Sequence, residues 1–278
     1  MLNNNRVRCI LLLISLFASE AYSWNSFGHR LVVQIAYNHL SPNAKKMCNL
    51  YNQALAPIYG ARTLVDAAPW LDSLRSQKDL WLQPGHYINI PFSRDGTALL
   101  PPNTMNAIFA IEEAITVLNT RQTSLFDKGF SLRILLHVVG DIHQPMHAVS
   151  QFSRTLPKGD KGGNLRYLVR NPVARNLHSY WDKGGGLLTP RAQYSYTLLN
   201  RRANSMERRW PCHPDLMVLT PKIWAEESHT IAVTKAYVFN TSEKPTKSYQ
   251  KMVKKLSEQQ IALAGCRLAA LVNSLFLI

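Results

Sequence analysis

The chain has 278 residues, a formal net charge of +15 at pH 7 and a sequence pI near 9.9. That length can bury one large hydrophobic core, which predicts a single domain. The basic balance suits a polyanionic partner, because each neutralised phosphate releases counterions, but it also suits a surface charged for solubility. Beyond the first 23 residues the cysteines are Cys48, Cys212 and Cys266. This odd count excludes a disulfide scaffold and allows at most one intramolecular bridge.

The N-terminal segment Met1–Ser23 has the pattern of a secretory signal peptide, with two early arginines, the apolar run Ile10–Phe17 and a small-residue cleavage site. The apolar run is too short for a membrane-spanning helix, which needs about 20 residues. Cleavage after Ser23 would leave a mature chain that begins with Trp24. We therefore expect a secreted or periplasmic protein whose single domain covers residues 24–278.

The coarse pattern is helical, so the expected fold class is all-α, a mainly helical single domain. Ser41 and Pro42 are typical of a helix start, with a capping hydroxyl followed by proline in the first turn. Helical spacing of apolar residues occurs in Phe27–Leu40, Leu64–Ser76, Thr104–Asn119, Phe130–Asp141, Tyr194–Arg209, Pro221–Tyr237 and Ser248–Leu277. Polar interruptions in the last of these favour a core helix over a membrane anchor. The segments Gln83–Pro102 and Ser153–Asn176 are rich in proline, glycine and asparagine and are predicted loops.

The segment Leu132–His147, LRILLHVVGDIHQPMH, places histidines and an aspartate among largely apolar residues. His137 and Asp141 are four residues apart, so on a helix they project from one face as an imidazole–carboxylate pair suited to a metal ion. Pro145 breaks the helix and lets His147 point in another direction. A single histidine on an apolar helix is typical of a satisfied core residue. Burying several unpaired polar groups costs about 1–3 kcal/mol each, which favours a compensating cation.

Further candidate metal ligands lie outside this segment. His178 and Asp182 repeat the four-residue spacing, and His29 lies near the start of the predicted mature chain. His86 and Asp72 are flanked by aromatic residues or prolines, although either alone also fits a capped or salt-bridged polar residue. Nitrogen and oxygen ligands without thiolates suit catalytic zinc, and the number of candidates indicates more than one ion. Two such metals could stabilise the attacking and leaving oxygens of a phosphoryl displacement.

Six motifs carry a resemblance to a known family. In chain order they are WNSFGH from Trp24, PWLDSLR, GHYIN, HVVGDIHQPMH, GDKGGN and NLHSYWD. Their order resembles that of the zinc-dependent class I nucleases of the S-one/P-one type, which include mung bean nuclease. The resemblance runs from Trp24 to the C-terminal AGCRLAALVN. It implies a mostly α-helical single domain, related to bacterial zinc-dependent phospholipase C, with three zinc ions in a cleft.

The resemblance also implies which residues hold the metals. One zinc would be held by Asp72, His86, His137 and Asp141. A second would be held by His147, His178 and Asp182. The third would bind the α-amino nitrogen and carbonyl oxygen of Trp24 together with His29, while Asp141 bridges it to the first. Because the Trp24 amine exists only after Ser23 is removed, secretion and metal assembly would be coupled.

The resemblance further implies the chemistry. In such enzymes a hydroxide between the bridged zincs attacks phosphorus and the remaining zinc steadies the departing 3′-oxygen, which leaves a 5′-phosphate. Asp72 would orient the nucleophile, and Arg75, one helical turn later, would hold Asp72 or the developing phosphoryl charge. Tyr87 would stack on a base that only an unpaired strand exposes, and Asn89 would contact the nucleotide. The expected protein is a monomeric endonuclease for single-stranded RNA and DNA, with 3′-nucleotidase activity and no obligate protein partner.

Some features stand apart from the family pattern or leave alternatives. Fungal and plant members have paired disulfides, but three mature cysteines leave one thiol over, so no bridge is assigned. Asn89 stands where some relatives have aspartate, which bears on base preference. Gly162, Gly163 and Asn164 match the loop before the second-zinc ligands, where small residues let the backbone pass close to the metals. The alternatives are a phospholipase C with the same zincs, which needs a lipid-accepting apolar rim, and a secreted zinc- or nucleic-acid-binding protein without catalysis.

Overall fold

The computed structural model describes residues 24–76, 82–189, 195–239 and 241–277, so the predicted signal peptide lies outside the described residues. The α-helices within those ranges are α1 (Ser26–His39), α2 (Pro42–Ala54), α3 (Ala56–Tyr59), α4 (Leu64–Ala67), α5 (Trp70–Ser76), α6 (Ala107–Asn119), α7 (Leu125–Ile142), α8 (Leu177–Asp182), α9 (Tyr196–Arg209), α10 (Pro221–Ile231) and α11 (Lys247–Leu275). Two short strands are β1 (Pro91–Ser93) and β2 (Ser150–Phe152). Short 3₁₀ turns cover Gln83–His86, Pro145–Ala148, Gly184–Gly186 and Pro214–Leu216, and a π turn covers Ala232–Ala236. The predicted mainly helical class is confirmed.

Short polar side chains mark where the first helices begin. Asn25 accepts a hydrogen bond from the amide of Gly28 at the start of α1, and Ser41 accepts one from Ala44 at the start of α2. Pro42 occupies the first turn of α2, where a missing N–H leaves no bond unmade. The helix start predicted from Ser41 and Pro42 is therefore confirmed.

The prediction of a single helix over Leu64–Ser76 is wrong. The structure divides this stretch into α4 and α5, with a break at Ala68 and Pro69. Proline lacks an amide hydrogen and its ring clashes with the preceding helical turn, so apolar spacing alone could not carry one helix through it. The break has a consequence for the site, because the carbonyl of Ala68 accepts a hydrogen bond of 2.7 Å from Nδ1 of His137.

Helix α7 also differs from its prediction, since it begins at Leu125 rather than at Phe130. Ser124 caps this earlier start by accepting a hydrogen bond from the amide of Asp127. The first turn has Leu125 and Phe126 followed by the charged Asp127 and Lys128, so the apolar spacing that starts at Phe130 does not extend back through it. Ser124, a residue type common at helix N-caps, was the sequence feature that could have indicated the earlier start.

Strands β1 and β2 form a parallel pair in which Pro91 is opposite Ser150. Strand β1 lies inside the segment predicted as a loop, so the pairing is a finding that the sequence pattern did not provide. The pair continues from the bond between the Ile88 amide and the His147 carbonyl, at 2.9 Å. It therefore fixes the segment after His86 alongside the segment that carries His147.

Helix α7 lies at the centre of the core, with α2 and α6 packed along it and α1 packed against α11. At the α1–α11 contact, a Cβ built on Gly265 would lie 2.6 Å from Cγ2 of Ile35. The C-terminal half of α7 is buried almost completely. Its two polar residues of interest, His137 and Asp141, are consequently inside the protein.

A second apolar cluster holds α8. Trp181 is fully buried and donates a hydrogen bond of 3.1 Å from its indole nitrogen to the hydroxyl of Tyr249 on α11. Tyr180 and Val253 are buried in the same cluster. The aromatic residues of the NLHSYWD motif thus anchor α8, while its histidine and aspartate face the other way.

Cys212 and Cys266 form a disulfide that links the segment after α9 to α11, and Cys48 is a buried thiol. The sequence allowed one bridge and left its pairing open. Among the described residues, no helix has the length and hydropathy that crossing a bilayer requires. Helix α11 buries many of its residues against α1 and the Trp181 cluster, which confirms the prediction of a core helix.

Candidate metal centre

Side chains from three parts of the chain converge around the end of α7. Nδ1 of His86 lies 3.0 Å from Oδ2 of Asp141 and 3.2 Å from Nε2 of His137. Oδ1 of Asp72 lies 3.6 Å from that His137 nitrogen. Tetrahedral zinc ligands at about 2.0–2.1 Å from the ion lie about 3.3 Å from one another. His86, His137 and Asp141 therefore present atoms at a suitable spacing, whereas Oδ1 of Asp72 is wider, at 3.9 Å from Nδ1 of His86, and groups with His137 and His29.

The residues predicted for a second zinc also meet. Ligand atoms of His147, His178 and Asp182 lie within 4.8 Å of one another, and Nε2 of His178 is 3.6 Å from Oδ1 of Asp182. Within the described part of the chain, Nε2 of His147 and Oδ2 of Asp182 are buried without a hydrogen-bond partner. Leaving such atoms unsatisfied costs about 1–3 kcal/mol each, so a cation among them fits this group.

Backbone carbonyls set the tautomers of three of these histidines. Nδ1 of His137, His147 and His178 donates to the carbonyls of Ala68, His86 and Gly162, at 2.7, 2.6 and 2.8 Å. With the proton on Nδ1, the lone pair is on Nε2, the atom that faces the carboxylates. This is the arrangement that orients imidazole ligands in metal sites. Hydrogen bonding therefore prepares these rings for a cation.

His29 and Trp24 lie beside the first group. Nε2 of His29 is 3.3 Å from Oδ1 of Asp141, the oxygen opposite the one that faces His86. Trp24 is fully buried, and its indole donates a hydrogen bond of 2.9 Å to the carbonyl of Gly140. The structure thus places His29 at the Asp141 oxygen that faces away from His86, with the Trp24 side chain against the neighbouring Gly140. Ligation by the Trp24 amine stays a prediction.

The carboxylates in this buried region also favour the binding of cations. Burial, and then the charges of Asp72 and Asp141, raise the pKa of Asp182 well above its usual range. Burial disfavours charged His137, but Asp141 and Asp72 prevail and raise its pKa to about 9. The carboxylates therefore favour a proton on His137, and the pKa of Asp182 favours its neutral form, whereas burial lowers the pKa of His29 and of His147. Bound metal ions would replace those protons, because zinc ligands are deprotonated imidazoles and carboxylates.

The loop of the GDKGGN motif supports the second group through Asp160, a residue that sequence reasoning missed. Asp160 is fully buried and accepts hydrogen bonds from the amides of Gln151 and Gly163, at 2.9 and 3.1 Å. The Tyr237 hydroxyl donates to both carboxylate oxygens, at 3.0 and 2.8 Å. These bonds hold the loop whose Gly162 carbonyl orients His178. The signal available in the sequence was the acid itself, set between glycines.

Of the predicted substrate residues, Tyr87 and Asn89 lie next to the metal centre. Tyr87 is half-buried directly after His86, and its carbonyl accepts from the amide of Ala107. Asn89 has a φ of +54°, a left-handed conformation that asparagine adopts more readily than most residues, and its amide lies 3.3 Å from the His147 carbonyl. The side chain of Arg75 lies outside the described part of the structure, so its role stays a prediction.

Comparison with known proteins decides the family. The S1/P1 nuclease family model matches residues 24–277. The chain belongs to the S1/P1 nuclease family. Relatives include Nuclease S1 of Aspergillus oryzae, 25% identical over 91% of this chain and 92% of that protein. Endonuclease 2 of Arabidopsis thaliana is 26% identical over 99% and 100%, and Nuclease P1 of Penicillium citrinum is 23% identical over 91% and 97%.

Family membership agrees with the geometry of the site. This nuclease is a hydrolase of phosphodiester bonds. Its histidine and aspartate groups could hold metal ions, and they come from all but one of the motifs that carried the sequence resemblance. The remaining motif, GDKGGN, supplies the loop that supports His178. The resemblance to the nuclease family is therefore confirmed.

Proposed function

We propose that this S1/P1 nuclease is a secreted or periplasmic zinc enzyme that cleaves single-stranded RNA and DNA to 5′-phosphate products and also acts on 3′-nucleotides. The observation that carries the proposal is the convergence of eight histidine and aspartate side chains around the end of α7. They are His29, Asp72, His86, His137, Asp141, His147, His178 and Asp182. Three zinc ions, with the Trp24 amine completing the third site, match this donor set.

The chain's own residues position and shield the reaction. Bound zinc would lower the pKa of water and polarise the phosphoryl oxygens. The side chain of Asp72 is 11% exposed, whereas those of His137 and Asp141 are fully buried. Asp72 therefore lies at the open side of the first group, where its carboxylate can accept a hydrogen bond from attacking water and aim it. Arg75 follows one turn later and would balance that carboxylate or the phosphoryl charge.

Single-strand preference is proposed to come from Tyr87. A base inside a duplex is already stacked on its neighbours. A tyrosine ring beside the metal centre can therefore stack only on an unpaired base, which strengthens binding of single strands. Tyr87 adjoins His86, and Asn89 adjoins the backbone of His147, which supports the proposal that both contact the nucleotide at the reacting phosphate. The excess of basic side chains adds a sequence-independent attraction to phosphate.

Secretion is supported by the position at which the family match begins. The family model starts at residue 24, directly after the last residue of the predicted signal peptide. The protein that reaches the medium or the periplasm would then begin with the Trp24 amine. We propose a monomer without an obligate protein partner for this form.

The test is a zinc count and a nuclease assay on protein that begins at Trp24. We expect three zincs per chain, faster cleavage of single strands than of duplex, 5′-phosphate ends and loss of activity in EDTA with recovery on adding zinc. Rates should fall as salt is raised, because phosphate contacts are screened. Hydrolysis of phosphatidylcholine is measured in parallel. Full activity with one zinc or fewer, equal rates on single and double strands, or preference for the phospholipid would each overturn the proposal.

A further inference from the structure

A cavity of about 990 Å³ lies between α1, α2, α4 and α9, outside the metal centre. Its lining is unusual for a surface depression, because it combines amide side chains with tyrosine rings. The amides are Gln34, Asn49, Asn52, Gln53 and Asn200. The tyrosines are Tyr37, Tyr59 and Tyr196. Amides can read the edges of a base or sugar, and rings can stack on a flat ligand.

A buried cation lies beneath this cavity. Arg133 is fully buried, and its Nε donates a hydrogen bond of 2.9 Å to the side-chain oxygen of Asn52, which lines the cavity. Its Nη1 is buried and has no hydrogen-bond partner among the described residues. The Trp70 ring, 5.2 Å from the guanidinium carbon, gives it a cation–π contact. An ion pair to a carboxylate is not found for Arg133 in the described ranges, so its charge is incompletely compensated.

Arg62 adds a second positive charge at the same end. The amide of Asn52 donates a hydrogen bond of 2.6 Å to the Arg62 carbonyl, so one asparagine joins the two arginines. Burial and the charge of Arg62 lower the pKa of Arg133 to about 10, which still leaves it charged at neutral pH. Two cations close enough to affect each other, beside an open cavity, create an electrostatic preference for an anion.

The acid in the cavity wall does not neutralise this end. Asp66 lies 3.6 Å from Nε of Arg30, and it accepts hydrogen bonds from the hydroxyls of Thr63 and Tyr196. The Asp66 carboxylate is therefore already paired with Arg30 and the two hydroxyls on its own side of the cavity. The Asn52 end keeps its positive character.

We propose that this cavity binds a phosphate-bearing nucleotide unit of a single-stranded polynucleotide, with the phosphate at Arg62 above Arg133 and the base among the amides and tyrosines. Guanidinium groups recognise phosphate, and amide and aromatic side chains recognise an unpaired base. A neutral sugar would use the amides and rings but would gain nothing from the positive end. The choice of a polynucleotide strand as the source of this unit rests on the proposed nuclease function.

The cavity is separate from the metal centre, but residues that line it lie close in sequence to residues of that centre. Gln34 follows His29 on α1 by five residues, which is about 7.5 Å along the helix axis. On the other wall, Asp66 lines the cavity while Ala68, just beyond it, holds His137 by its carbonyl. A strand bound at both places would gain affinity by double attachment without new chemistry at the metals.

Substrate length provides the first test. Cleavage of a dinucleotide and of single strands of increasing length is measured for zinc-loaded wild type, Arg62→Gln and the control Arg208→Gln. Arg208 is an exposed arginine on α9 outside the cavity lining, so the control loses the same charge. We expect Arg62→Gln to raise KM for long strands roughly threefold to tenfold, with kcat and dinucleotide kinetics unchanged. An equal change in KM for the dinucleotide, or in both variants, would overturn the inference.

Cross-linking tests the cavity without relying on turnover. A single-stranded phosphorothioate oligonucleotide carrying a photoreactive base is cross-linked to the zinc-loaded protein, and the labelled peptides are identified. We expect label in residues 49–66 of wild type, reduced in Arg62→Gln and competed by a 5′-mononucleotide. Equal competition by inorganic phosphate or by a sulfated polysaccharide would show that the cavity binds anions without regard to the base. That result would overturn the inference. Label there in a protein that cuts no nucleic acid would refute the proposed function but uphold the cavity.

Discussion

Asp160 supports the loop that orients His178, a candidate metal ligand that it does not contact. Its carboxylate accepts the amide of Gly163 and the hydroxyl of Tyr237, and the neighbouring Gly162 carbonyl accepts Nδ1 of His178. Burial raises the pKa of Asp160, although the surrounding donors oppose that shift. The donors show that the charged carboxylate is the form for which this loop is arranged.

Asp160→Asn should therefore weaken metal binding at the group formed by His147, His178 and Asp182. Loss of an outer partner of a metal ligand typically lowers affinity by about 10–100-fold, so one zinc per chain should be lost first as free zinc is lowered. Zinc content at buffered free zinc measures this. The exposed carboxylate Asp95 offers a control, Asp95→Asn. Parallel loss of all zincs in Asp160→Asn would indicate general unfolding instead.

Cys48 is buried in α2 and is not part of the disulfide. Burial raises the pKa of its thiol to about 12, so the neutral thiol is the form present at every pH below that value. The thiolate is the reactive species. Native protein at pH 8 should therefore resist alkylation by iodoacetamide, while protein unfolded in urea without reductant should take up one label. Rapid labelling of the native chain, read by mass spectrometry, would show that α2 opens locally.

At the scale of elements, the sequence predicted those features that depend on local spacing. His137 and Asp141 share a face of α7, and the same spacing recurs in α8 for His178 and Asp182, as helical periodicity requires. The split at Pro69 was missed because apolar spacing continues across it. The pairing of β1 with β2 joins Pro91 to Ser150, and no local pattern specifies such a distant partner.

The candidate site also divides into features that local spacing predicts and features that depend on distant contacts. The ligand types and their motifs were readable from the sequence, since imidazoles and carboxylates at fixed spacing indicate metal chemistry. Their grouping in space came from the family resemblance, because spacing alone cannot bring His86 to Asp141. The roles of Asp160 and of the Ala68 carbonyl depend on contacts between distant segments, so only the structure reveals them.

Close packing of α1 against α11 predicts the effect of Gly265→Ala. In an open helix this change stabilises by about 1 kcal/mol. Here the new Cβ would lie 2.6 Å from Cγ2 of Ile35 and 2.9 Å from the Val32 carbonyl, so the helices must separate. We expect a loss of about 1–3 kcal/mol in the free energy of unfolding, measured by urea titration. The exposed α11 control Gln259→Ala should be near neutral, and an unchanged midpoint for Gly265→Ala would contradict the close contact.

On the scale of the whole molecule, the start of the predicted mature chain is built into its interior. Trp24 is fully buried against Gly140 on α7, and the amide of Asn25 donates to the carbonyl of Asp182 at the end of α8. Trp24 and Asn25 therefore lie between the two helices that carry most of the candidate ligands. If cleavage after Ser23 frees the Trp24 amine at that position, processing of the precursor is predicted to complete the site.

We accordingly predict that residues retained before Trp24 impair the third zinc. An extension converts the terminal amine to an amide nitrogen, which has no available lone pair for a metal. Protein cleaved after Ser23 is compared with protein that keeps added residues, by zinc content, circular dichroism and rate on single-stranded RNA. The extended form should carry one zinc fewer and turn over slower by orders of magnitude, while its helical signal is kept.

The retained helical signal is what separates this prediction from simple misfolding. The core around α7 and the α1–α11 contact do not involve the terminal amine, so an extension leaves their packing in place. Loss of zinc with loss of helix would therefore indicate that the extension disrupts the entry of Trp24 into the core. Equal zinc and equal rates in both forms would show that Trp24 acts only as a buried aromatic. One fewer zinc in a folded chain is the result that assigns its amine to the metal centre.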